Sequence, residues 1–138
     1  MITEYVYKFS KHNKPVARAA VGDKLTFKTL DCFSVHIRTE NDLTSTFDYN
    51  SANPGTGPVY IEGAKAGDIL VVDILTVNVG DRGVVTSLPG VGPLHDRVDL
   101  RTKVLQVKNG AVDFNGVPIK LRPMVGVPTL RAVQGHER

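Results

Sequence analysis

Tryptophan is absent from this sequence and cysteine occurs once, at Cys32. A single thiol excludes an intramolecular disulfide and fits a reducing compartment. No run of about 18 apolar residues exists to cross a bilayer as a helix. The N-terminal MITEYVYKFSKHNK contains Glu4 and has no apolar core leading to a small-residue cleavage site. These absences predict a soluble, cytoplasmic chain with no membrane partner. Charge of one sign is never concentrated: 17 basic and 14 acidic residues are scattered to a formal net charge of +3. Without a basic block there is no track for a phosphate backbone, and 7% aromatics give no base-stacking platform, so nucleic acid is not an expected partner. The histidines at 12, 36, 95 and 136 form no His-x-x-x-His motif. Gly-Val-Gly at 90–92 lacks the strand and helix of a nucleotide loop. No segment of ten residues has convincing helical spacing; the nearest, 40–47, is rich in Ser and Thr.

What the sequence has in quantity is period-two alternation punctuated by turns. With 138 residues, 41% of them hydrophobic, it is sized for one compact domain, 1–138. Tyr5, Tyr7 and Phe9, then Leu25 and Phe27, read as half-buried strands. Residues 69–79, Ile-Leu-Val-Val-Asp-Ile-Leu-Thr-Val-Asn-Val, read as a long central strand buried on both faces. Asn109-Gly110 and Asn115-Gly116 mark two tight hairpins, because Asn and Gly tolerate the positive φ of a type I′ turn. An echo links Val-Gly-Asp-Lys-Leu at 21–25 with Ala-Gly-Asp-Ile-Leu at 66–70. It reads either as the same Gly-turn, Asp-bonded launch of a strand or as equivalent positions in two facing sheets. Together these features predict an all-β fold, a jelly-roll-like β-sandwich of short antiparallel strands with little helix.

Candidate chemistry is sparse. If 31–36 continues a strand, Cys32, Ser34 and His36 share one face, with Cys32 and His36 roughly 13 Å apart, too far for direct pairing. His95-Asp96 closes a Gly- and Pro-punctuated loop, 88–94, placed either over a cleft or in solvent. Glu62 sits where Pro-Val-Tyr-Ile-Glu-Gly ends a strand. Locally it reads as a solvated edge carboxylate or as a group displayed at a rim site.

Thr-Leu-Asp-Cys-Phe-Ser (29–34), Asn-Pro-Gly-Thr-Gly-Pro-Val-Tyr-Ile-Glu-Gly-Ala-Lys-Ala-Gly-Asp-Ile-Leu (53–70), Leu-Pro-Gly-Val-Gly-Pro-Leu (88–94) and Leu-Arg-Pro-Met-Val-Gly-Val (121–127) resemble, in order and spacing, the acetamidase/formamidase family. The resemblance implies a β-sandwich hydrolase, an amidase converting short aliphatic amides such as formamide and acetamide to a carboxylate and ammonia. Matching positions are Asp31, Cys32, Asn53, Thr56, Gly57, Glu62, Gly63, Gly67 and Asp68. On them it implies catalytic carboxylates at Asp31 and Glu62 and substrate binding at Asn53, Thr56 and Gly57. Asp31 and His36 are the candidates to hold a divalent metal, Zn²⁺ or Ca²⁺, where one is used. The alternative is a non-catalytic relative that keeps the fold for small-molecule binding or a structural role.

Similarity covers only the N-terminal half of family members. The family pattern continues with a His-Gly-Gly-Asn-x-Asp type segment, which the divergent tail 128–138 does not match. The expectation is a truncated or half-length relative whose uncovered apolar strands drive it into a homo-oligomer.

Overall fold

A computed structural model describes residues 1–126. The divergent tail 128–138 lies outside the described residues. The chain is all-β: eight strands and two 3₁₀ turns, Thr44–Thr46 and Tyr49–Ser51, account for its regular structure among the described residues. These residues form two compact units, Met1–Ser34 with Asn50–Asp73, and Val35–Tyr49 with Ile74–Gly126.

In the first unit, β1 (Tyr5–Val6) pairs antiparallel with β3 (Gly55–Thr56), setting Tyr5 opposite Thr56. The pair β2 (Ala17–Ala19) and β4 (Val59–Ile61) is parallel, an exception to the antiparallel expectation, and sets Arg18 opposite Tyr60. Ile2 and Ala19 are its buried apolar residues. Ile2 also bridges Phe27 in parallel, donating to the Thr26 carbonyl at 2.8 Å and accepting from the Lys28 N–H at 2.9 Å.

The second unit is an antiparallel sheet in the order β5 (Arg82–Ser87), β6 (Arg101–Lys108), β7 (Ala111–Phe114), β8 (Val117–Lys120). Leu105 on β6 and Ile37 on the preceding loop supply its buried apolar residues. Arg82 donates to the carbonyls of Arg38 and Ile37 at 2.7 and 3.3 Å, and Thr102 Oγ1 donates to that of Asp42 at 2.7 Å, tying loop 35–49 to the sheet.

Both predicted hairpins form. Asn109 and Gly110 take φ of 51° and 71°, and Asn115 and Gly116 take 55° and 83°, the left-handed pairs that join β6 to β7 and β7 to β8. A Cβ at Gly110 would meet nothing within 4 Å, so its cost is purely conformational. Gly110→Ala is expected to lower stability by about 1 kcal/mol, read from the urea midpoint; an unchanged midpoint would mean that the turn relaxes.

The Gly-Asp echo is a turn repeated atom for atom. Asp23 accepts from the Ala20 N–H and Asp68 from the Lys65 N–H, each at 2.8 Å, while Gly22 and Gly67 take φ of 93° and 97°.

Four strand expectations are corrected. The strand expected through Tyr5, Tyr7 and Phe9 is only Tyr5–Val6, with Tyr7 and Phe9 beyond it. Residues 24–30 contribute only the Phe27 bridge. Residues 31–36 are not extended: 32–35 form a turn with Ser34 and Val35 at φ 52° and 61°, so Cys32, Ser34 and His36 do not line a strand face. Residues 69–79 are neither central nor buried; they belong to no strand, and Ile69 and Val71 are 90% and 79% exposed. A strand exists only as a paired state, and nothing in the described chain pairs with this one.

Candidate functional site

Glu62 is placed by the parallel β2–β4 pair. Its N–H donates to the Ala19 carbonyl at 2.8 Å, continuing the ladder one residue past β4, and Gly63 at φ 77° then turns the chain away. Because β4 runs parallel to β2, the Arg18 side chain reaches both neighbours on the adjacent strand. Its Nε donates to Glu62 Oε1 at 2.6 Å and a terminal nitrogen donates to Oε2 at 3.2 Å. The guanidinium lies 4.2 Å from the centroid of the Tyr60 ring. Two donors on two acceptors, plus a ring beneath, orient a planar carboxylate as a single lysine would not.

The Arg18 hydrogen bonds hold the Glu62 carboxyl below its ordinary 4.5, outweighing the desolvation that would raise it. Both side chains are about half exposed or more, so solvent screens the pair and its gain is orientation rather than stability. A depressed folded pKa contributes stability that is present above the unfolded value and lost as pH falls through the folded one. Arg18→Met is expected to move the Glu62 titration, followed by carboxyl NMR, upward toward 4.5; an unmoved titration would mean that the pair does not persist in solution.

A second cluster lies around Asp31. Its Oδ1 accepts from the Phe33 N–H at 2.9 Å and its carbonyl from the Ser34 N–H at 3.0 Å, closing the turn. Two bonds then lace that turn to the glycine-rich segment: Asn53 N–H donates to the Cys32 carbonyl at 2.9 Å, and Ser34 Oγ donates to the Ser51 carbonyl at 2.6 Å. Asn53 joins Ser34 and Val35 in the left-handed region, at φ 53°. Side-chain-bearing residues, one of them β-branched, are rarely held there, and such strain gathers at functional sites. Desolvation, with the Asp31 charge second, raises the Cys32 thiol, which keeps it protonated and speaks against a nucleophilic role.

Thr56 and Gly57 follow on and just beyond β3. Gly57 is buried, at φ 120°, with its N–H on the Glu4 carbonyl at 2.9 Å. Thr56 Oγ1 is buried with no hydrogen-bond partner among the described residues. An orphaned buried hydroxyl costs about 1–3 kcal/mol, and the Thr44 hydroxyl in the second unit is left in the same state.

Thus Asn53 and the Asp31 turn are joined directly, while Glu62 is joined to Arg18. Asp31 falls in the first unit and His36 in the second, where its ring lies 5.8 Å from that of Phe47. Among the described residues no three His, Cys, Asp or Glu side chains converge to hold a metal ion, so no chemical step is derived through one. His95 lies in the second unit, its carbonyl accepting from the Gly90 N–H at 3.0 Å. Arg18 is the residue that sequence reasoning missed, since its partner is 44 positions away.

The profile of the acetamidase/formamidase family matches residues 7–132. The chain belongs to the acetamidase/formamidase family. An acetamidase from Bacillus halodurans shares 37% identity at a TM-score of 0.88, covering 91% of this chain and 44% of the relative. A predicted acetamidase/formamidase from Thermoanaerobacter tengcongensis shares 39% at 0.86, covering 91% and 43%. An acetamidase from Yersinia enterocolitica, at 24% identity and a TM-score of 0.63, is similar in fold. The chain spans less than half the length of these solved relatives. No curated protein matches it. No helix among the described residues is long and apolar enough to cross a membrane.

Proposed function

We propose that this acetamidase/formamidase relative acts on short aliphatic amides, formamide and acetamide, and that the segment from Asn53 to Glu62 carries the groups that handle them. The observation carrying this reading is that an oriented carboxylate at Glu62 and an unsatisfied buried hydroxyl at Thr56 both lie on one glycine-rich segment. Both belong to the stretch that resembles the family most specifically.

Hydrolysis of an amide needs an activated water, a stabilised carbonyl oxygen and a protonated leaving nitrogen. In this reading Glu62, kept deprotonated by Arg18, takes a proton from water as the water oxygen bonds to the carbonyl carbon. It returns that proton to nitrogen as the C–N bond breaks, releasing ammonia and the carboxylic acid. Thr56 Oγ1 donates to the carbonyl oxygen as negative charge develops there, with Asn53 and Gly57 shaping the approach. Asp31, anchored beside Asn53 by the turn it closes, orients the water.

Ammonia release from formamide and acetamide by the purified chain tests the proposal. Release that saturates with amide supports it; none from folded protein would favour the other family reading, a relative that keeps the fold for binding alone.

A further inference from the structure

Two of the chain's asparagines precede glycine, Asn109-Gly110 at the β6–β7 turn and Asn115-Gly116 at the β7–β8 turn. All four residues are exposed, and a Cβ at either glycine would meet nothing within 4 Å. Glycine brings no side chain to shield its own nitrogen, which leaves that nitrogen able to attack the side-chain carbonyl carbon of the asparagine before it. Exposure and space do not separate the two turns.

Hydrogen bonding does. The Gly116 N–H donates to Asp113 Oδ1 at 2.9 Å, and Asn115 Oδ1 accepts from the Lys103 ammonium on β6. A proton shared with a carboxylate is harder to remove, so the Gly116 nitrogen is a blocked nucleophile, and the Asn115 side chain is held toward Lys103. Among the described residues neither the Gly110 N–H nor the Asn109 side-chain amide has a hydrogen-bond partner. Gly110 is engaged only through its carbonyl, which accepts from the Leu121 N–H at 2.8 Å.

We propose that Asn109 is a site of self-modification, deamidating within the folded chain while Asn115 is protected. Hydroxide takes the proton from the Gly110 nitrogen. That nitrogen bonds to Asn109 Cγ as the Cγ–Nδ2 bond breaks, and Nδ2 leaves as ammonia with a proton from water, which regenerates hydroxide. Water then opens the five-membered imide at either carbonyl, giving aspartate or isoaspartate. Each product sets a carboxylate beside Lys108 where an amide stood, and isoaspartate also lengthens the backbone within the two-residue turn that joins β6 to β7. The ammonia is released once per chain, and the step is independent of the amide-handling role proposed above.

Incubation of the folded chain at mildly alkaline pH, followed by peptide mapping that resolves isoaspartate, tests this. Asn109 is expected to convert about 10–100-fold faster than Asn115, the factor that breaking a charge-assisted hydrogen bond adds to a barrier. Asp113→Ala frees the Gly116 N–H and is expected to bring Asn115 close to the rate of Asn109. Should that variant not fold, the unsubstituted chain in urea serves, where the two sites are expected to convert at similar rates. Equal rates in the folded chain, faster conversion at Asn115, or an Asn109 that stays intact while the urea-unfolded chain converts overturns the proposal. So does a difference that persists in urea or survives Asp113→Ala.

Discussion

Glu62→Gln is expected to lower ammonia release from formamide by about 10²–10⁴-fold, the range lost with a general base. Glutamine preserves the size of the side chain and one acceptor for Arg18, but it cannot take a proton from water. On the proposed reading, in which Thr56 and Asn53 meet the amide, the loss is therefore expected in kcat with little change in KM. Glu62→Asp keeps the charge yet withdraws the carboxylate from Arg18, which holds it at 2.6 Å, and is expected to fall between the two. Equal activity in Glu62→Gln would remove Glu62 from the chemistry and leave it as the edge carboxylate that its local sequence also permits.

Leu105→Ala is expected to cost about 2–5 kcal/mol, the range for truncating a buried leucine. Leu105 is 7% exposed on β6, where it pairs with Gly83 of β5. Few apolar side chains share its burial, so its removal takes a large fraction of a typical folding free energy of about 5–15 kcal/mol. Val117→Ala, 59% exposed on β8, is expected to stay within about 0.5 kcal/mol. Urea unfolding followed by circular dichroism compares them. Similar losses at both positions would contradict the placement of the core.

Features legible in the sequence are those whose cause is local. Asn109-Gly110 and Asn115-Gly116 announce their hairpins because few other pairs accept two positive φ angles, and Gly22-Asp23 and Gly67-Asp68 announce turns for the same reason. Residues 69–79 misled because apolar alternation reports a need for burial and says nothing of whether a neighbour exists to meet it. The Cys32–Val35 turn was misread as strand because its left-handed residues are Ser34 and Val35, types that carry no turn signal. Arg18 was invisible as a partner of Glu62, since a parallel pairing between β2 and β4 is set by the intervening chain rather than by any local pattern. Among the site residues, Asn53, Thr56, Gly57 and Glu62 are legible through the family resemblance rather than through any local pattern. The orphaned hydroxyl of Thr56 and the left-handed backbone of Asn53 are properties that only the fold reveals.

The central claim is that the segment from Asn53 to Glu62 meets the amide. Titrating the isotope-labelled chain with acetamide, while following the Thr56 amide and the Glu62 side-chain carboxyl by NMR, tests it without requiring turnover. Saturable shifts at both groups, weakened by Thr56→Val, are expected. Acetamide that leaves Thr56 and Glu62 unmoved while shifting residues of the β5–β8 sheet would contradict the claim and place the ligand elsewhere.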